Sequence, residues 1–296
     1  MNVFEGAYTA MVTPFGEKGE IDEDGLRENV RFQIENGIHG LLPVGTTGEC
    51  ATLSYEEHNR VVEIVVDAAK GKVPVLAGTG SNSTWEALML TKHAKEIGAD
   101  GALLVVPYYN KPTQRGLYAH FRKIAEEVDL PQVIYNIPSR TGVNLLPETM
   151  GKLAKLKNIV GVKEATGDMK QVKRIIELTK GQDFVVTSGN DSDTLAIMKL
   201  GGVGVISVAS NLVPRKVAGL VESFRSGDVK TAEKINEELA PLFKALFIET
   251  NPGPVKTAMN WMGLAAGGLR LPLVEMEPEN QEKLRRVLTD MKLVRQ

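Results

Sequence analysis

At 296 residues, 43% of them hydrophobic and 24% charged, the chain is long for one ordinary domain but suited to one α/β barrel with a full core. A formal net charge of −2 leaves no basic surplus to hold nucleic acid or an anionic membrane. A single cysteine, Cys50, excludes an intrachain disulfide and a cysteine metal cluster; four scattered histidines (His39, His58, His93, His120) without an HExxH pattern predict no catalytic metal.

The N-terminal "MNVFEGAYTAMVTPF" has no basic segment leading into an apolar one, and no apolar run nears the ~20 residues that span a bilayer. A cytoplasmic protein is the expectation. In chain order, short and often continuously apolar runs read as strands: "AYTAMVTP", "GLLPVG", "PVLAGTG", "GALLVVP", "QVIYNIP", "IVGVKEA", "FVVTSG" and "GVGVISV". Continuous apolarity fits parallel strands covered on both faces. Amphipathic segments lie between them. "EDGLRENVRFQIENG" places Leu26, Val30 and Ile34 on one face, with Gly37 as a stop. "SYEEHNRVVEIVVDAAKG" opens with Ser54 and carries Glu57 three residues on, the spacing of a capping box. "STWEALMLTKHAKEIG" and "QRGLYAHFRKIAEEV" follow the same pattern. About eight β–α units of roughly 20–35 residues predict an α/β fold, a (β/α)8 TIM barrel. The barrel is expected to occupy residues 1–227. "GDVKTAEKINEELAPLFKALF", "PGPVKTAMNWMG" and "PENQEKLRRVLTDMK" make 228–296 a C-terminal helical extension. An open doubly wound sheet is the alternative, but the chain offers no dinucleotide fingerprint.

Barrel chemistry sits at the C-terminal ends of strands, and polar residues gather at those ends here. "GLLPV" runs into "GTTGE", "GALLVV" into "PYYN", "QVI" into "YNIPSRTG", and "FVVT" into "SGND". "NIVGVKEATG" is the odd case. Residues 158–162 read as strand and 164–167 as loop, which leaves Lys163 at the junction. Lysine is depleted in strands and rarely buried without a partner. An edge lysine that snorkels to solvent competes with a desolvated one, whose lowered pKa frees the amine to attack a carbonyl. Such a Schiff-base enzyme needs a proton shuttle and a grip on a carboxylate. Tyr135, Tyr109 and Thr46 are candidates for the shuttle. Thr46 and Thr47 in "GTTGE" add hydroxyl donors to backbone amides, and Arg140 offers a two-pronged carboxylate clamp. A phosphate-handling barrel is disfavoured: Asp191 and Asp193 would repel a phosphate near the last strands.

Taken together, "AMVTPF", "GTTGE", "AGTG", "PYYNKP", "YNIPSRTG", "GVKEATG", "SGND", "GVISV" and "NPGPVK" resemble the dihydrodipicolinate synthase branch of the pyruvate-dependent class I aldolases, a superfamily that includes N-acetylneuraminate lyase. The motifs run from residue 10 to about 256. The resemblance implies that pyruvate forms an imine with Lys163 and needs no other cofactor. The derived enamine attacks L-aspartate 4-semialdehyde to give 4-hydroxy-tetrahydrodipicolinate, on the route to diaminopimelate and lysine. By the same resemblance Tyr135, Thr46 and Tyr109 form the proton relay, with Tyr109 reaching into a neighbouring subunit's site, so that a homotetramer built as a dimer of dimers is expected. Thr46 and Thr47 would hold the pyruvate carboxylate, Ile206 and Gly189 would line the site through their backbones, and Arg140 would bind the semialdehyde carboxylate.

Thr46-Thr47 and Arg140 set the chain apart from sialic-acid lyases, which resemble it less at both places. A sugar-acid aldolase acting through pyruvate is the alternative function. The family's lysine-inhibition positions match Cys50, Ala51, Tyr55, His58, Asn82, Glu86 and Tyr108. Cys50 and Tyr55 depart from the lysine-sensitive pattern, so weak or absent inhibition by lysine is expected.

Overall fold

A computed structural model describes residues 3–295. Each continuously apolar run forms a strand, and helices follow them in alternation. The order begins β1 (Gly6–Ala10), α1 (Glu23–Glu35), β2 (Gly40–Leu42), α2 (Tyr55–Ala69), β3 (Leu76–Gly78), α3 (Thr84–Glu96), β4 (Gly101–Val105), α4 (Gln114–Glu127) and β5 (Gln132–Asn136). Two short helices, α5 (Pro138–Thr141) and α6 (Pro147–Leu153), lead to β6 (Ile159–Glu164) and α7 (Met169–Thr179). Then come β7 (Val185–Ser188), α8 (Thr194–Lys199), β8 (Gly204–Ser207) and α9 (Pro214–Arg225). The chain continues through α10 (Val229–Ala245), α11 (Gly253–Trp261) and α12 (Pro278–Asp290). The strands form one eight-stranded sheet in the order β2-β1-β8-β7-β6-β5-β4-β3, and every strand pair whose register is given is parallel. This is the expected (β/α)8 TIM barrel with C-terminal helices. Among the described residues no helix is long and apolar enough to cross a membrane.

Contacts divide the chain into two compact units. The first comprises residues up to Gly6 and Pro74–Ile206. Its strands β4 to β7 bury Leu104, Ile134, Val162 and Val186. The register aligns Tyr135 with Lys163 and Lys163 with Thr187; one step on, Asn136 aligns with Glu164 and Glu164 with Ser188. Successive side chains on a strand point to opposite faces, so the Tyr135–Lys163–Thr187 row and the Asn136–Glu164–Ser188 row look opposite ways. The strand runs two residues beyond the 158–162 segment read from the sequence: Glu164 is not in the loop but is the last, fully buried residue of β6.

The second unit comprises Ala7–Val73 and the chain from Ser207 on. Helix α2 starts with the capping box read from its sequence: Glu57 N–H donates to Ser54 Oγ at 3.2 Å and Ser54 N–H to Glu57 Oε2 at 2.9 Å. On α1 the buried face is turned slightly from the expected one. Leu26 and Val30 are buried, but Ile34 is only partly so, and Gln33 takes the interior place. Gln33 can do so because Thr9 Oγ1 donates to its carbonyl at 2.5 Å while its amide donates to Ser210 O at 2.9 Å. The C-terminal helices pack through Leu239, Leu242, Val255, Ala258, Leu284 and Leu288, all buried.

Lys256 on α11 is also buried, a costly place for a cation. Its ammonium donates to Glu49 Oε1 at 2.7 Å, Thr13 O at 3.0 Å and Gly268 O at 2.5 Å, and sits 4.3 Å from the Phe15 ring centroid. The Arg270 guanidinium lies 4.3 Å from the same ring and makes a two-pronged pair with Glu57 at 2.6 and 2.7 Å. The ammonium thus fills its three donors, and the Glu49 carboxylate supplies the opposite charge that burial requires.

Candidate active site

Lys163 is 6% exposed, one residue from the end of β6. Its Nζ lies 4.1 Å from the centroid of the Tyr135 ring, the neighbour that strand register dictates. Burial pushes its pKa down to about 7; the charge of Asp191 pushes it back up, and that of Arg140 pushes it further down. A large fraction of the amine is therefore neutral, hence nucleophilic, near neutral pH. Tyr135 is equally buried and stands with its ring against that amine.

The loop after β7 is pressed onto the lysine. The Gly189 N–H donates to Glu164 O at 2.7 Å. A Cβ at Gly189 would meet Ala165 Cβ at 2.7 Å and Lys163 Cγ at 3.2 Å, so only glycine lets the loop come this close. Asp191, two residues on, is 2% exposed. The sequence marked Asp191 only as hostile to phosphate; its electrostatic role beside Lys163 depends on a loop path that motif reading does not give. Ile206 is buried on β8 of the same unit. Arg140 sits on α5, immediately after β5, and is exposed.

Tyr109 follows β4 and is not gathered to Lys163 in this way. Its side chain is 88% exposed, its φ is +70°, and its N–H donates to Thr141 O at 3.3 Å. A tyrosine at positive φ is a costly conformation. Asn110 beside it is tied to the Asn82 carbonyl at 3.0 Å. Among the remaining first-unit positions matched to lysine inhibition, Glu86 Oε2 accepts from Ser81 Oγ at 2.5 Å, and Tyr108 is 41% exposed.

Thr46 and Thr47 belong to the second unit, in the loop after β2. The loop is braced at several points. Gly48 N–H donates to Gly45 O and Glu49 N–H to Thr46 O, both at 3.1 Å, and Thr13 Oγ1 donates to Gly48 O at 2.7 Å. Glu49, at φ +54°, is held by Lys256. Thr47 Oγ1 accepts from Asn251 Nδ2 at 3.0 Å, an arrangement that leaves its own hydroxyl hydrogen free to be donated elsewhere. In the same unit Cys50, Ala51 and Tyr55 are exposed and His58 is buried. Among the described residues no group of three or more His, Cys, Asp or Glu side chains is arranged to hold a metal ion.

A model of the dihydrodipicolinate synthetase family matches residues 3–291. The 4-hydroxy-tetrahydrodipicolinate synthase of Syntrophus aciditrophicus is 56% identical over 292 residues, covering 99% of this chain and 100% of the relative. The crystal structure of dihydrodipicolinate synthase from Aquifex aeolicus superposes with a TM-score of 0.96 at 52% identity, covering 99% of this chain and 100% of that one. The chloride-inhibited dihydrodipicolinate synthase of Acinetobacter baumannii, solved in complex with pyruvate, superposes with a TM-score of 0.95 at 44% identity, covering 98% and 99% of the two chains.

Proposed function

The chain belongs to the dihydrodipicolinate synthetase family, and on that footing we propose that it condenses pyruvate with L-aspartate 4-semialdehyde to give 4-hydroxy-tetrahydrodipicolinate. The observation that carries this reading is the buried Lys163 amine, its pKa lowered to about 7, with Nζ 4.1 Å from the Tyr135 ring.

The neutral amine adds to C2 of pyruvate, and the carbonyl oxygen leaves as water once protonated. The resulting imine carries a positive charge that Asp191 stabilises, since its carboxylate already favours the cationic form of Lys163. Loss of a proton from C3 then gives the enamine, with the lysine nitrogen as electron sink and no further cofactor needed. C3 attacks the aldehyde carbon and forms the new C–C bond. The semialdehyde's own amine closes the ring on C2 and displaces Lys163. Each stage moves a proton, and the Tyr135 phenol, with Thr46 and a partner subunit's copy of Tyr109, serves as the relay. Thr46 and Thr47 hold the pyruvate carboxylate, supported by the hydroxyl hydrogen that the Asn251 contact leaves on Thr47. Arg140 takes the semialdehyde carboxylate, and its charge beside Lys163 helps keep the amine neutral. The assembly in this reading is a homotetramer.

Borohydride added with pyruvate should fix a reduced pyruvyl adduct on Lys163, visible as a mass increase on the peptide that contains it. The Lys163→Ala protein should form no adduct and lose turnover; full turnover in that variant would refute the mechanism. A coupled assay that offers aspartate semialdehyde, glyceraldehyde and N-acetylmannosamine in parallel tests the acceptor, with preference for either sugar aldehyde pointing to a sugar-acid aldolase instead.

A further inference from the structure

Glu164 follows the reactive lysine on β6 and faces the other way. It is 1% exposed, and its oxygens accept several hydrogen bonds, one of them from the Thr166 hydroxyl. Asn136 Nδ2 donates at 3.1 and 3.4 Å, the Thr166 N–H at 3.0 Å and Gln171 Nε2 at 3.5 Å. A carboxylate in such a place costs desolvation energy, and burial pushes its pKa up while hydrogen bonds from the Thr166 hydroxyl, the Asn136 amide, the Thr166 backbone N–H and the Gln171 amide pull it down. A purely structural position could be filled more cheaply by an apolar side chain of similar size.

The partners of Glu164 close a ring. Asn144 donates to Gln171 Oε1 at 2.8 Å, and its own carbonyl oxygen accepts from Gln171 Nε2 at 3.1 Å and from Asn136 Nδ2 at 2.9 Å. The Leu145 N–H donates to Asn136 Oδ1 at 3.0 Å. Two members of the ring directly follow members of the site on their strands, and another lies on the segment after Arg140. Asn136 follows Tyr135 on β5, Glu164 follows Lys163 on β6, and Asn144 and Leu145 lie on the segment that α5 and Arg140 lead into. Glu164 also contributes its backbone carbonyl to the Gly189 N–H, the contact that holds the β7 loop against the Lys163 side chain. One side chain thus fixes the ends of two adjacent strands, the start of α7 and the segment beyond Arg140.

We propose that Glu164 is a positioning residue for the imine chemistry: through the ring with Asn136, Gln171 and Asn144 it sets the contact between Lys163 and Tyr135 and keeps water from the lysine amine. The proposal rests on the reading of Lys163 as the imine-forming group. Glu164→Gln preserves volume but turns one acceptor into a donor that faces other donors. Gln171→Met cuts the same ring from the α7 side, leaving the carboxylate in place.

The test follows borohydride trapping of pyruvate against pH, together with kcat and KM, on variants shown to be folded by circular dichroism and thermal melting. In the wild type, trapping should rise through a midpoint near 7. In Glu164→Gln the midpoint should move up toward that of a free lysine, as water reaches the amine, and kcat should fall roughly tenfold to a hundredfold, as misplacement of a reacting group predicts. Gln171→Met should move both in the same direction and by less. A merely structural ring would lower the melting temperature and leave the pH midpoint and kcat of the folded variants unchanged, and that result would overturn the proposal. If Glu164→Gln does not fold, an unchanged midpoint and kcat in Gln171→Met overturn it equally. Absence of an adduct on the wild-type protein would instead sink the imine reading on which it rests.

Discussion

At the scale of single residues, the structure turns on a lysine that is expensive to keep. Lys163 titrates at about 7 in the folded chain against 10.5 when free. Below pH 7 both states hold the proton, and the folded chain carries the full penalty of a buried ammonium. Between about 7 and 10.5 the unfolded chain holds more protons, so stability rises with pH across that window, and above it the penalty is gone. Replacing Lys163 with Met should therefore stabilise the protein at pH 6 by about 1–3 kcal/mol, less than the whole shift because Asp191 loses a favourable cation. The gain should shrink toward pH 10. Urea unfolding of the two proteins at both pH values checks it; a variant less stable than wild type at pH 6 would show that the lysine is not strained by burial. Asp191→Asn should act on the same group in the opposite sense to water entry. Without the carboxylate that raises the lysine pKa, the pH midpoint for adduct formation should fall below 7, while turnover drops about tenfold or more because the cationic imine loses its counter-charge. A midpoint that rises, or turnover that holds, would contradict this role.

At the scale of elements, the second unit is clasped by a pair 207 residues apart in sequence, Lys256 on α11 and Glu49 after β2. Lys256→Met removes one partner of a buried pair and leaves Glu49 uncompensated, so it should cost about 3–5 kcal/mol in urea unfolding. Adding Glu49→Gln should recover much of that loss, since the charge left behind is what costs most. A double variant no better than the single one would show that the Phe15 stacking and backbone contacts of Lys256, not its charge pairing, hold the clasp. The elements themselves were legible in the sequence because what specifies them is local: continuous apolar runs for β4 to β8, a Ser54–Glu57 box for the start of α2. Lys163 was legible because it is the wrong residue type for its place. What local pattern could not show is set by distant partners. Glu164 belongs to β6 because β5 and β7 both pair with it, and Gln33 rather than Ile34 is buried because Thr9 and Ser210 wait for it. The Glu49–Lys256 pair and the Glu164 ring were invisible for the same reason.

At the scale of the whole molecule, the exposed aromatics are the feature that a single chain leaves unexplained. In the first unit Tyr109 is 88% exposed, Trp85 67% and Tyr108 41%; in the second Phe247 is 47% exposed and Tyr55 44%. Large exposed aromatics are characteristic of association surfaces. Tyr109 adds a backbone at φ +70°, a costly conformation for a non-glycine residue. Both facts support a role for Tyr109 in a partner's relay, and the two halves of that idea separate experimentally. Tyr108→Asp places a charge on the surface and should shift sedimentation toward the monomer, with turnover lost in proportion to the dissociated fraction. Tyr109→Phe keeps the ring for packing and removes only the hydroxyl, so it should sediment as wild type and still form the pyruvate adduct on Lys163, yet turn over about a hundredfold more slowly, the scale of one lost proton-transfer group. Full turnover in an assembled Tyr109→Phe protein would remove Tyr109 from the relay while leaving the assembly intact. Full turnover in a monomeric Tyr108→Asp protein would go further: it would mean that one chain alone carries every group the condensation needs.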